Sequence, residues 1–454
     1  MAIGKKKERK VKPLCLPQQN SPSSDLPVLG EEQQRALQEL RDFMQAKDRD
    51  FHLLKGYAGT GKSTLCRVFL AELGLKGVVF CATTNKATGV LQDLMLKDQP
   101  EVRCCTIHRL LKLVPEDSGQ GWKLRQMGEP NLQGLRLIVL DECSMIGLDL
   151  WQHLQEVPCQ HPVKILFMGD PAQLPPVGET SSPSFSIPHS SQLTRVYRQG
   201  EQHPILKYSM ELREAMLNPN CPVPFPTHSD RAGIHNSGIA VFNDEQTWLN
   251  AWRRDLSEPP SQEDENRVRC LSWTNRRVLR WNTWISERCY PSERGPFPSH
   301  QPLMLTSPVT KGGWTSPRQM IMATDESVRC CACQPHPWRG LDLWQLELHN
   351  KDGEVAEVIY CPPELDDSRE RQLTLWRQER QGKSINNEVI EKWDRQCVGI
   401  QPAAAITVHR SQGSSFDTVY LDGPSLKACP DRDLQLQLLY VAVTRARTKL
   451  CVLV

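Results

Sequence analysis

The 454-residue sequence predicts an α/β protein with two parallel-sheet domains, the second of them interrupted by a small β-rich insertion. Three observations lead to this fold class. The chain is too long for one small core, because domains usually contain about 100–200 residues. Short apolar runs alternate with helical segments in two separate stretches, which is typical of doubly wound parallel sheets. The second stretch is interrupted by residues that lack this alternation and instead contain short strands with Pro and Gly turns.

The alternation also sets the expected domain limits. Residues 1–28 are rich in Lys, Pro, Ser and Gln, which predicts a disordered basic and polar tail. Residues 29–190 form the first α/β domain, and the turn sequence SGQG predicts a hairpin within it at about 112–130. Residues 191–290 and 402–454 form the second α/β domain. Residues 291–401 are expected to be the β-rich insertion, with a helical extension in its polar second half.

Amino-acid composition excludes few classes of protein. The net charge of +2 gives no global basic field, although a local groove of Lys and Arg could still bind phosphates. The 17 cysteines are scattered without a disulfide framework, which favours reduced thiols and a cytoplasmic location. Cys330, Cys331, Cys333 and His336 cluster but lack the paired spacing of structural zinc sites, which favours thiols over a metal site. No apolar run is long enough to predict a membrane span.

The segment GYAGTGKST follows a predicted strand at residues 51–57 and opens a predicted helix at residues 63–73. Glycines let backbone N–H groups converge on phosphates, and a helix N-terminus adds partial positive charge. Lys62 is expected to neutralise the β- and γ-phosphates of ATP, while the Ser63 hydroxyl binds Mg²⁺. The predicted phosphate-binding residues are Gly56, Tyr57, Ala58, Gly59, Thr60, Gly61, Lys62, Ser63 and Thr64.

Polar residues that follow later predicted strands indicate that the bound nucleotide is hydrolysed. Asp141 is placed to hold Mg²⁺ through water, and Glu142 to polarise an attacking water. A kinase does not need that adjacent glutamate, so the pair favours hydrolysis. Gln173 carries an amide that could touch both a γ-phosphate and a water. Arg198 and Arg445 can stabilise charge on the departing phosphate. Because both arginines belong to the second half, domain closure is expected to depend on the nucleotide.

An ordered series of motifs resembles the superfamily 1 helicases, from about residue 29 to the end of the chain. Its narrower resemblance is to superfamily 1B, the Dda/RecD-like branch, and within that branch to the phage Dda type. The motifs, in order, are LGEEQ, GYAGTGKST, ATTNKA, TIHRLL, LDECSMI, GDPAQLPPVGE, LTRVYRQ, SWTNRRV, TVHRSQGSSFD and LLYVAVTRAR.

The resemblance implies a fold of two RecA-like motor domains with an SH3-like insertion in the second. It also implies an ATP-dependent 5′→3′ DNA helicase that uses Mg-ATP, acts on single-stranded DNA and forks, and serves DNA replication, repair or recombination. Gln33 looks like the adenine-reading glutamine, and Gln412 and Gly413 lie where nucleotide and DNA are coupled. The residues implied to contact the single strand are Thr84, Asn85, Thr106, His108, Thr274, Asn275, Thr407 and His409.

Some alternatives stay open at this point. In Dda-like helicases the hairpin is a pin that splits the duplex, so Trp122 could stack on a base at the fork; it could equally pack the hairpin onto its own domain. The turn Asp325–Val328 lacks the glycine that relatives usually have. Two other functions remain: a single-strand translocase on DNA or RNA, and an ATP-gated binding protein without productive unwinding. We expect a monomer, and the sequence does not identify protein partners.

Overall fold

A computed structural model describes most of the chain, and the described residues fall into two compact units. The first unit comprises residues 28–81, 93–171 and 176–196, and the second comprises residues 82–92, 172–175 and those from 203 onward. The described ranges are 28–74, 76–96, 103–117, 122–196, 203–232, 237–257, 267–290, 295–298, 301–311, 319–350, 353–379 and 385–454.

Strands and helices follow one another through the described part of residues 28–196. Short 3₁₀ turns at Cys143–Met145 and Pro183–Ser186 join some of them. In chain order the elements are α1 (Glu31–Gln45), β1 (Phe51–Gly56), α2 (Lys62–Leu73), β2 (Val78–Ala82), α3 (Asn85–Leu96), β3 (Arg103–Thr106), α4 (Ile107–Leu111), β4 (Leu113–Asp117), β5 (Trp122–Gln126), β6 (Leu137–Asp141), α5 (Leu148–Gln160), β7 (Lys164–Gly169) and β8 (Ser190–Leu193).

The remaining elements include a run of strands in the middle of the second half. In chain order they are α6 (Pro204–Leu217), β9 (Asp230–Ala232), β10 (Ser237–Phe242), α7 (Glu245–Ser257), β11 (Val268–Ser272), α8 (Asn275–Cys289), β12 (Leu303–Leu305), β13 (Val309–Lys311), β14 (Gln319–Met322), β15 (Ser327–Trp338), β16 (Leu341–Asn350), β17 (Val355–Tyr360), α9 (Asp366–Glu379), α10 (Ile385–Gln396), β18 (Ile400–Pro402), β19 (Ala405–Thr407), β20 (Phe416–Asp422), α11 (Gly423–Lys427), α12 (Arg432–Arg445) and β21 (Ala446–Leu453).

The first unit is built on a six-stranded sheet in the order β3-β2-β6-β7-β1-β8. β1 lies between β7 and β8 and pairs with both in parallel, and β6 pairs with β7 in parallel. The strands are short apolar runs with few exposed positions, as parallel strands covered on both faces must be. Functional loops therefore follow the carboxyl ends of β1, β6 and β7, where ligands of open α/β sheets bind. The predicted parallel α/β core is confirmed.

The second unit contains another six-stranded sheet, in the order β19-β11-β20-β21-β10-β9. Its pairs are parallel except for β9, which runs antiparallel to β10 at the edge. Its core includes a cluster of rings in which Trp248 lies 5.5 Å from Trp281 and 5.7 Å from Tyr420 between centroids. These rings are fully buried, and they fix α7 and α8 against the sheet.

A separate five-stranded antiparallel sheet, in the order β17-β16-β15-β12-β18, lies between the parts of the second unit's parallel sheet in sequence. It has its own apolar core, which includes Leu346 and Leu348. The turn before β15 adopts the left-handed conformation at Asp325, with φ 64°. Asp is one of the few residues besides Gly that tolerate this conformation. The turn therefore forms without the missing glycine, and the Asp325 amide donates to the Leu305 carbonyl at 2.9 Å.

Two predictions from the sequence concerned membrane-spanning segments and the cluster of Cys330, Cys331, Cys333 and His336. Within the described ranges, no helix is both long and apolar enough to cross a membrane. On β15, Cys330 is buried whereas its neighbour Cys331 is exposed, because alternate residues of a strand face opposite sides. No group of three or more potential metal ligands was found among the residues that the structure describes.

Candidate functional site

The phosphate loop connects β1 to the first turn of α2. Gly59 and Gly61 have φ values of 82° and 83°, a left-handed conformation that glycine adopts without a Cβ penalty. Lys62 is the first residue of α2, and its ammonium donates to the carbonyl oxygens of Gly56 at 2.5 Å and Tyr57 at 3.2 Å. The cation therefore lies across the loop, beside the backbone amides at the N-terminus of a helix, which together favour an anion.

Gln33 holds this loop from α1. Its side chain is 3% exposed; its Nε2 donates to the Thr60 carbonyl at 3.2 Å, and its Oε1 accepts from the Gly30 amide at 3.1 Å. A Cβ on Gly61 would lie 2.4 Å from that Nε2. The side chain of Gln33 therefore packs so closely against the loop that no side chain fits at Gly61 without movement. The sequence-based expectation that Gln33 reads adenine remains a prediction.

The acidic pair follows β6 in the same unit. Glu142 adopts a left-handed conformation with φ 54°, and its amide donates to the Asp141 carboxylate at 2.8 Å. Burial raises the pKa of Asp141, and the nearby Lys62 ammonium opposes that rise. The Lys62 cation and the Asp141 carboxylate therefore lie close enough to interact, although eighty residues of sequence separate them. The fold has brought the predicted phosphate-binding cation and the predicted magnesium-binding acid into one site.

The turn after Glu142 is tightly supported. The Ser182 hydroxyl donates to the carbonyl oxygens of Cys143 and Ile146, each at 2.8 Å. A Cβ on Gly169 would lie 2.4 Å from the Cys143 sulfur. Burial raises the pKa of the Cys143 thiol to about 12, so it packs as a small neutral group. These contacts fix the direction in which the backbone leaves the acidic pair.

Gln173 belongs to the short segment 172–175, which clusters with the second unit. It is buried, and its side-chain Oε1 has no hydrogen-bond partner among the described residues. The adjacent Leu174 carbonyl accepts from Gln412 Nε2 at 3.3 Å. A Cβ on Gly413 would lie 2.7 Å from that of Ala87. The second unit thus brings together the segments of Gln173, of Gln412–Gly413 and of residues 82–92.

Arg445 ends α12 and is 6% exposed. Its guanidinium donates to the Ser414 carbonyl at 2.9 Å and to the Val441 carbonyl at 3.2 Å. Such contacts hold the side chain beside the segment that contains Gln412. Arg198, the other predicted arginine, lies outside the described residues.

Four threonines predicted to contact the single strand share one local structure. Each ends a strand or lies two residues after one, and its hydroxyl accepts from the amide three residues later; for Thr106 and Thr274 this is the N-cap of the following helix. The hydroxyl–amide pairs are Thr84–Ala87 at 3.2 Å, Thr106–Arg109 at 3.2 Å, Thr274–Arg277 at 3.4 Å and Thr407–Arg410 at 3.3 Å. Sequence reasoning selected these residues by resemblance; the repeated pattern of an apolar run followed by Thr was the physical signal available.

The other predicted DNA-binding residues differ in exposure. Asn275 is exposed, whereas burial lowers the pKa values of His108 and His409 and so favours their neutral forms. Trp122 begins β5 and its backbone pairs with Asp117, so residues 113–117 and 122–126 form an antiparallel two-stranded ribbon. The side chain of Trp122 lies outside the described part of the structure, and its contact with DNA stays a prediction.

Sequence reasoning missed Asp422, which organises the segment around Thr274. Its carboxylate is fully buried and accepts from Arg277 at 2.7 and 2.8 Å, from Trp281 Nε1 at 2.8 Å and from the Ser272 hydroxyl at 3.0 Å. The available signal was an acid directly after the apolar strand β20, the same pattern that identified Asp141. Asp422 is a positioning residue, because it acts on α8 and not on a ligand.

Two family models match parts of the chain. The model described as an AAA domain matches residues 28–220, and the model described as a UvrD-like helicase C-terminal domain matches residues 402–453. These two matches cover the phosphate loop and acidic pair at one end and Gln412 and Arg445 at the other. With the geometry above, they define a P-loop nucleotide hydrolase with a helicase-type second motor segment.

Comparisons with individual proteins agree. The chain is similar to the ATP-dependent DNA helicase dda of Enterobacteria phage T4, with 25% identity over 88% of this chain and 94% of that protein. It is 36% identical to the ATP-dependent RecD2 DNA helicase of Deinococcus radiodurans over 34% of this chain. It is also 32% identical over 35% of its length to the uncharacterized protein R530 of Acanthamoeba polyphaga mimivirus. The chain spans only 20% of the length of RecD2 and 36% of R530.

A solved structure of Pif1 helicases at forked double-stranded DNA has a similar fold, with a TM-score of 0.51 and 15% identity over 94% of this chain and 92% of that one. In sequence the chain is thus similar to the Dda-type helicases, and in fold to a solved Pif1 helicase structure.

Proposed function

We propose that this protein is an ATP-dependent DNA helicase that moves 5′→3′ along single-stranded DNA and unwinds duplex at a fork. The observation that carries the proposal is the electrostatic effect of the Lys62 cation on Asp141, the sequence neighbour of Glu142, beside a loop that Gln33 holds by a hydrogen bond. An adjacent glutamate in that position supports hydrolysis over phosphoryl transfer, because it can act as a general base on water. Similarity to Dda along most of both chains supports DNA as the substrate.

The donor atoms at this site fit magnesium. Ser63 offers a hydroxyl and Asp141 a carboxylate, and oxygen ligands are the ones that Mg²⁺ prefers. The carboxylate is partly buried and desolvation raises its pKa, so a cation there would offset that cost. The chemistry that a bound Mg²⁺ would supply is to offset the negative charge of the nucleotide phosphates. Ser63 and Asp141 would hold it, and Lys62 would neutralise the phosphates beside it.

The four threonines whose hydroxyls accept from the amide three residues later support binding of the phosphate backbone of the single strand. Thr84 and Thr274 precede the long helices α3 and α8, whose N-terminal amides favour anions. Contacts of this kind read phosphates and not bases, so binding should be independent of sequence and weakened by salt. We assign the same role to Thr106, Thr407 and their neighbours Asn85, His108, Asn275 and His409.

The finer domain assignment is also part of the proposal. Residues 29–190 would form one RecA-like motor domain, and residues 191–290 with 402–454 the other. The ribbon of β4 and β5 would act as the pin that separates strands, with Trp122 at the fork. The antiparallel sheet within residues 291–401 would be the SH3-like insertion that Dda-like helicases carry. The antiparallel pairing of β16 with both β15 and β17 supports a β-rich module there.

Strand displacement on tailed duplexes tests the function directly. One duplex carries a 5′ single-stranded tail and its partner carries a 3′ tail of the same length and sequence composition. The expected result is ATP-dependent unwinding of the 5′-tailed substrate and none of the 3′-tailed one. Unwinding of the 3′-tailed duplex alone would overturn the polarity, and a larger stimulation of ATPase activity by RNA than by DNA would overturn the substrate.

Glu142→Gln and Arg445→Lys test the chemical roles. Glu142→Gln removes the base while keeping the side-chain size, so ATP should bind normally and turnover should be lost. An ATP-gated binding protein would be barely altered by the same change. Arg445→Lys keeps the charge but loses the planar fork that contacts Ser414, so turnover should fall while affinity for single-stranded DNA in the absence of nucleotide is kept.

A further inference from the structure

Two thiols face each other at the edge of the first unit's sheet. Cys81 lies in β2 and Cys105 in the neighbouring strand β3, and their sulfur atoms are 4.0 Å apart. Neighbouring strands are about 4.7–4.9 Å apart, which lies within the Cα separation of about 4.4–6.8 Å that a disulfide spans. Both side chains belong to the same apolar core, at 0% and 6% exposure. Closing a bond would require the sulfurs to approach by about 2 Å with little movement of the backbone.

We propose that Cys81 and Cys105 form a reversible disulfide bond on exposure to a hydroperoxide, which makes this pair a redox modification site. The alternative for buried cysteines is that they only fill space as small apolar groups. The contact between the sulfur atoms of Cys81 and Cys105 distinguishes this pair from cysteines that only fill space. Cys66 and Cys143 in the same unit are also buried, yet in the described structure neither has another cysteine sulfur in hydrogen-bonding contact.

The two thiols have unequal chemistry, which suits them to consecutive steps. The hydrogen bond from Cys81 lowers the pKa of Cys105 to about 7, and the cations Arg103 and Arg109 act in the same direction. Burial raises the pKa of Cys81 well above its ordinary value. At neutral pH Cys105 therefore has substantial thiolate character, and the thiolate is the form that attacks an oxidant.

The reaction balances with one hydroperoxide. The Cys105 thiolate attacks the O–O bond and becomes a sulfenic acid, and the distal oxygen leaves and takes a proton to give an alcohol or water. The Cys81 sulfur then attacks the sulfenic sulfur; the S–O bond breaks, the S–S bond forms, and water leaves with the Cys81 proton. The net change converts two thiols and one hydroperoxide into a disulfide, water and an alcohol. A dithiol reverses it by exchange.

Access to the buried pair comes from the position of β3. Among the residues that the structure describes, this strand spans Arg103–Thr106 and lies at the edge of the sheet, with no neighbouring strand on one of its sides. Short edge elements open locally at low free energy compared with central strands. A small hydroperoxide can therefore reach Cys105 without unfolding of the unit.

The position of the pair predicts that the disulfide changes the binding of single-stranded DNA; this prediction rests on the proposed function. Cys81 lies three residues before Thr84, and Cys105 lies directly before Thr106. A bond between them would draw together the ends of two strands from which predicted DNA-contacting segments begin. Oxidation should therefore change the affinity for single-stranded DNA while leaving the phosphate loop, which follows the separate strand β1, unaffected.

Peptide mapping of the intact protein tests the bond independently of any activity. The reduced protein is treated with hydrogen peroxide under native conditions, blocked with N-ethylmaleimide and digested with trypsin. Cleavage releases residues 77–86, which contain Cys81 alone, and residues 104–109, which contain Cys104 and Cys105. We expect these two peptides to be joined, with the loss of two hydrogens, and to separate after dithiothreitol.

Matched serine variants identify the sulfur involved. Cys104→Ser should leave the joined peptide at the wild-type yield, because adjacent residues of a strand face opposite sides and the sulfur that contacts Cys81 is that of Cys105. Cys105→Ser and Cys81→Ser should each abolish it. If both peptides are recovered fully alkylated after peroxide, or if Cys104→Ser abolishes the joined species, the proposal is wrong. Retention of ATP binding by each variant shows that it has folded.

A binding measurement then tests the consequence. Coupling between sites typically changes affinity by about fivefold or more, and we expect oxidation to weaken single-stranded DNA binding on that scale in the wild type. The change should be reversed by dithiothreitol and absent in Cys105→Ser. A joined peptide without any change in DNA affinity would keep the modification site and reject its link to DNA. Wild-type protein that binds no DNA in either state would instead reject the proposed function.

Discussion

Replacing Gly61 with Ala should weaken ATP binding as well as destabilise the fold. An alanine at φ 83° carries a left-handed backbone that costs about 1–2 kcal/mol for an L-residue. Its Cβ would also lie 2.4 Å from Gln33 Nε2, a buried amide that must move and lose its hydrogen bond to the Thr60 carbonyl. That bond contributes about 1 kcal/mol. The loop can relieve both costs only by leaving the conformation that receives phosphates, so affinity for ATP should fall by about 10- to 100-fold.

Gly74→Ala is the matched control. Gly74 directly follows α2 with φ 69°, and no atom lies within 4 Å of the position of an added Cβ. Both variants therefore place an L-residue at a positive φ, and urea unfolding should show a loss of at least about 1–2 kcal/mol in each. Isothermal titration with a non-hydrolysable ATP analogue should separate them, with wild-type affinity retained in Gly74→Ala. Equal losses of affinity in the two variants, or normal affinity in Gly61→Ala, would refute the reasoning about the loop.

Three further changes probe single contacts. Thr274→Val removes the hydroxyl that accepts from the Arg277 amide, and the free energy of unfolding should fall by about 1 kcal/mol. Asp422→Asn directs an amide N–H at buried donors from Arg277 and Trp281, and the loss should reach about 3–5 kcal/mol. Burial lowers the pKa of His52 to about 4. The unfolded chain then takes up the proton first, so stability is complete above pH about 6.5 and falls as the pH drops toward 4, by up to about 1.4 kcal/mol per unit.

For each of these three predictions, a second variant serves as a control in urea unfolding. Thr274→Ser keeps the hydroxyl and should retain most of the stability; equal losses in the two variants would argue against the cap. Asp433→Asn removes an exposed carboxylate, which is 84% exposed, and should change stability by less than about 0.5 kcal/mol. For His52, the variant His52→Gln should lose part of the dependence on pH between 6.5 and 5. An unchanged slope in that window would exclude His52 as its source.

Much of the parallel-sheet architecture could be predicted because it is written in local patterns. The apolar run before the phosphate loop became β1, and the run before Asp141 became β6, since buried parallel strands need continuous apolar residues. The helix predicted at residues 63–73 is α2, which spans Lys62–Leu73. The same patterns failed for β15, because its alternation of Cys, Gln, Pro and His carries little apolar periodicity.

The sequence by itself determined the class of chemistry: the spacing of glycines, Lys62 and Ser63 predicts a phosphate site wherever a strand and helix flank it, because those contacts are local. Only the tertiary structure brought the Lys62 ammonium near the Asp141 carboxylate, set Gln33 against Gly61, and placed Cys81 beside Cys105. These are contacts between residues far apart in sequence, and their distances depend on strand order and on how side chains fill a shared core. Local propensity contains no information on either, so such contacts follow only from the folded chain.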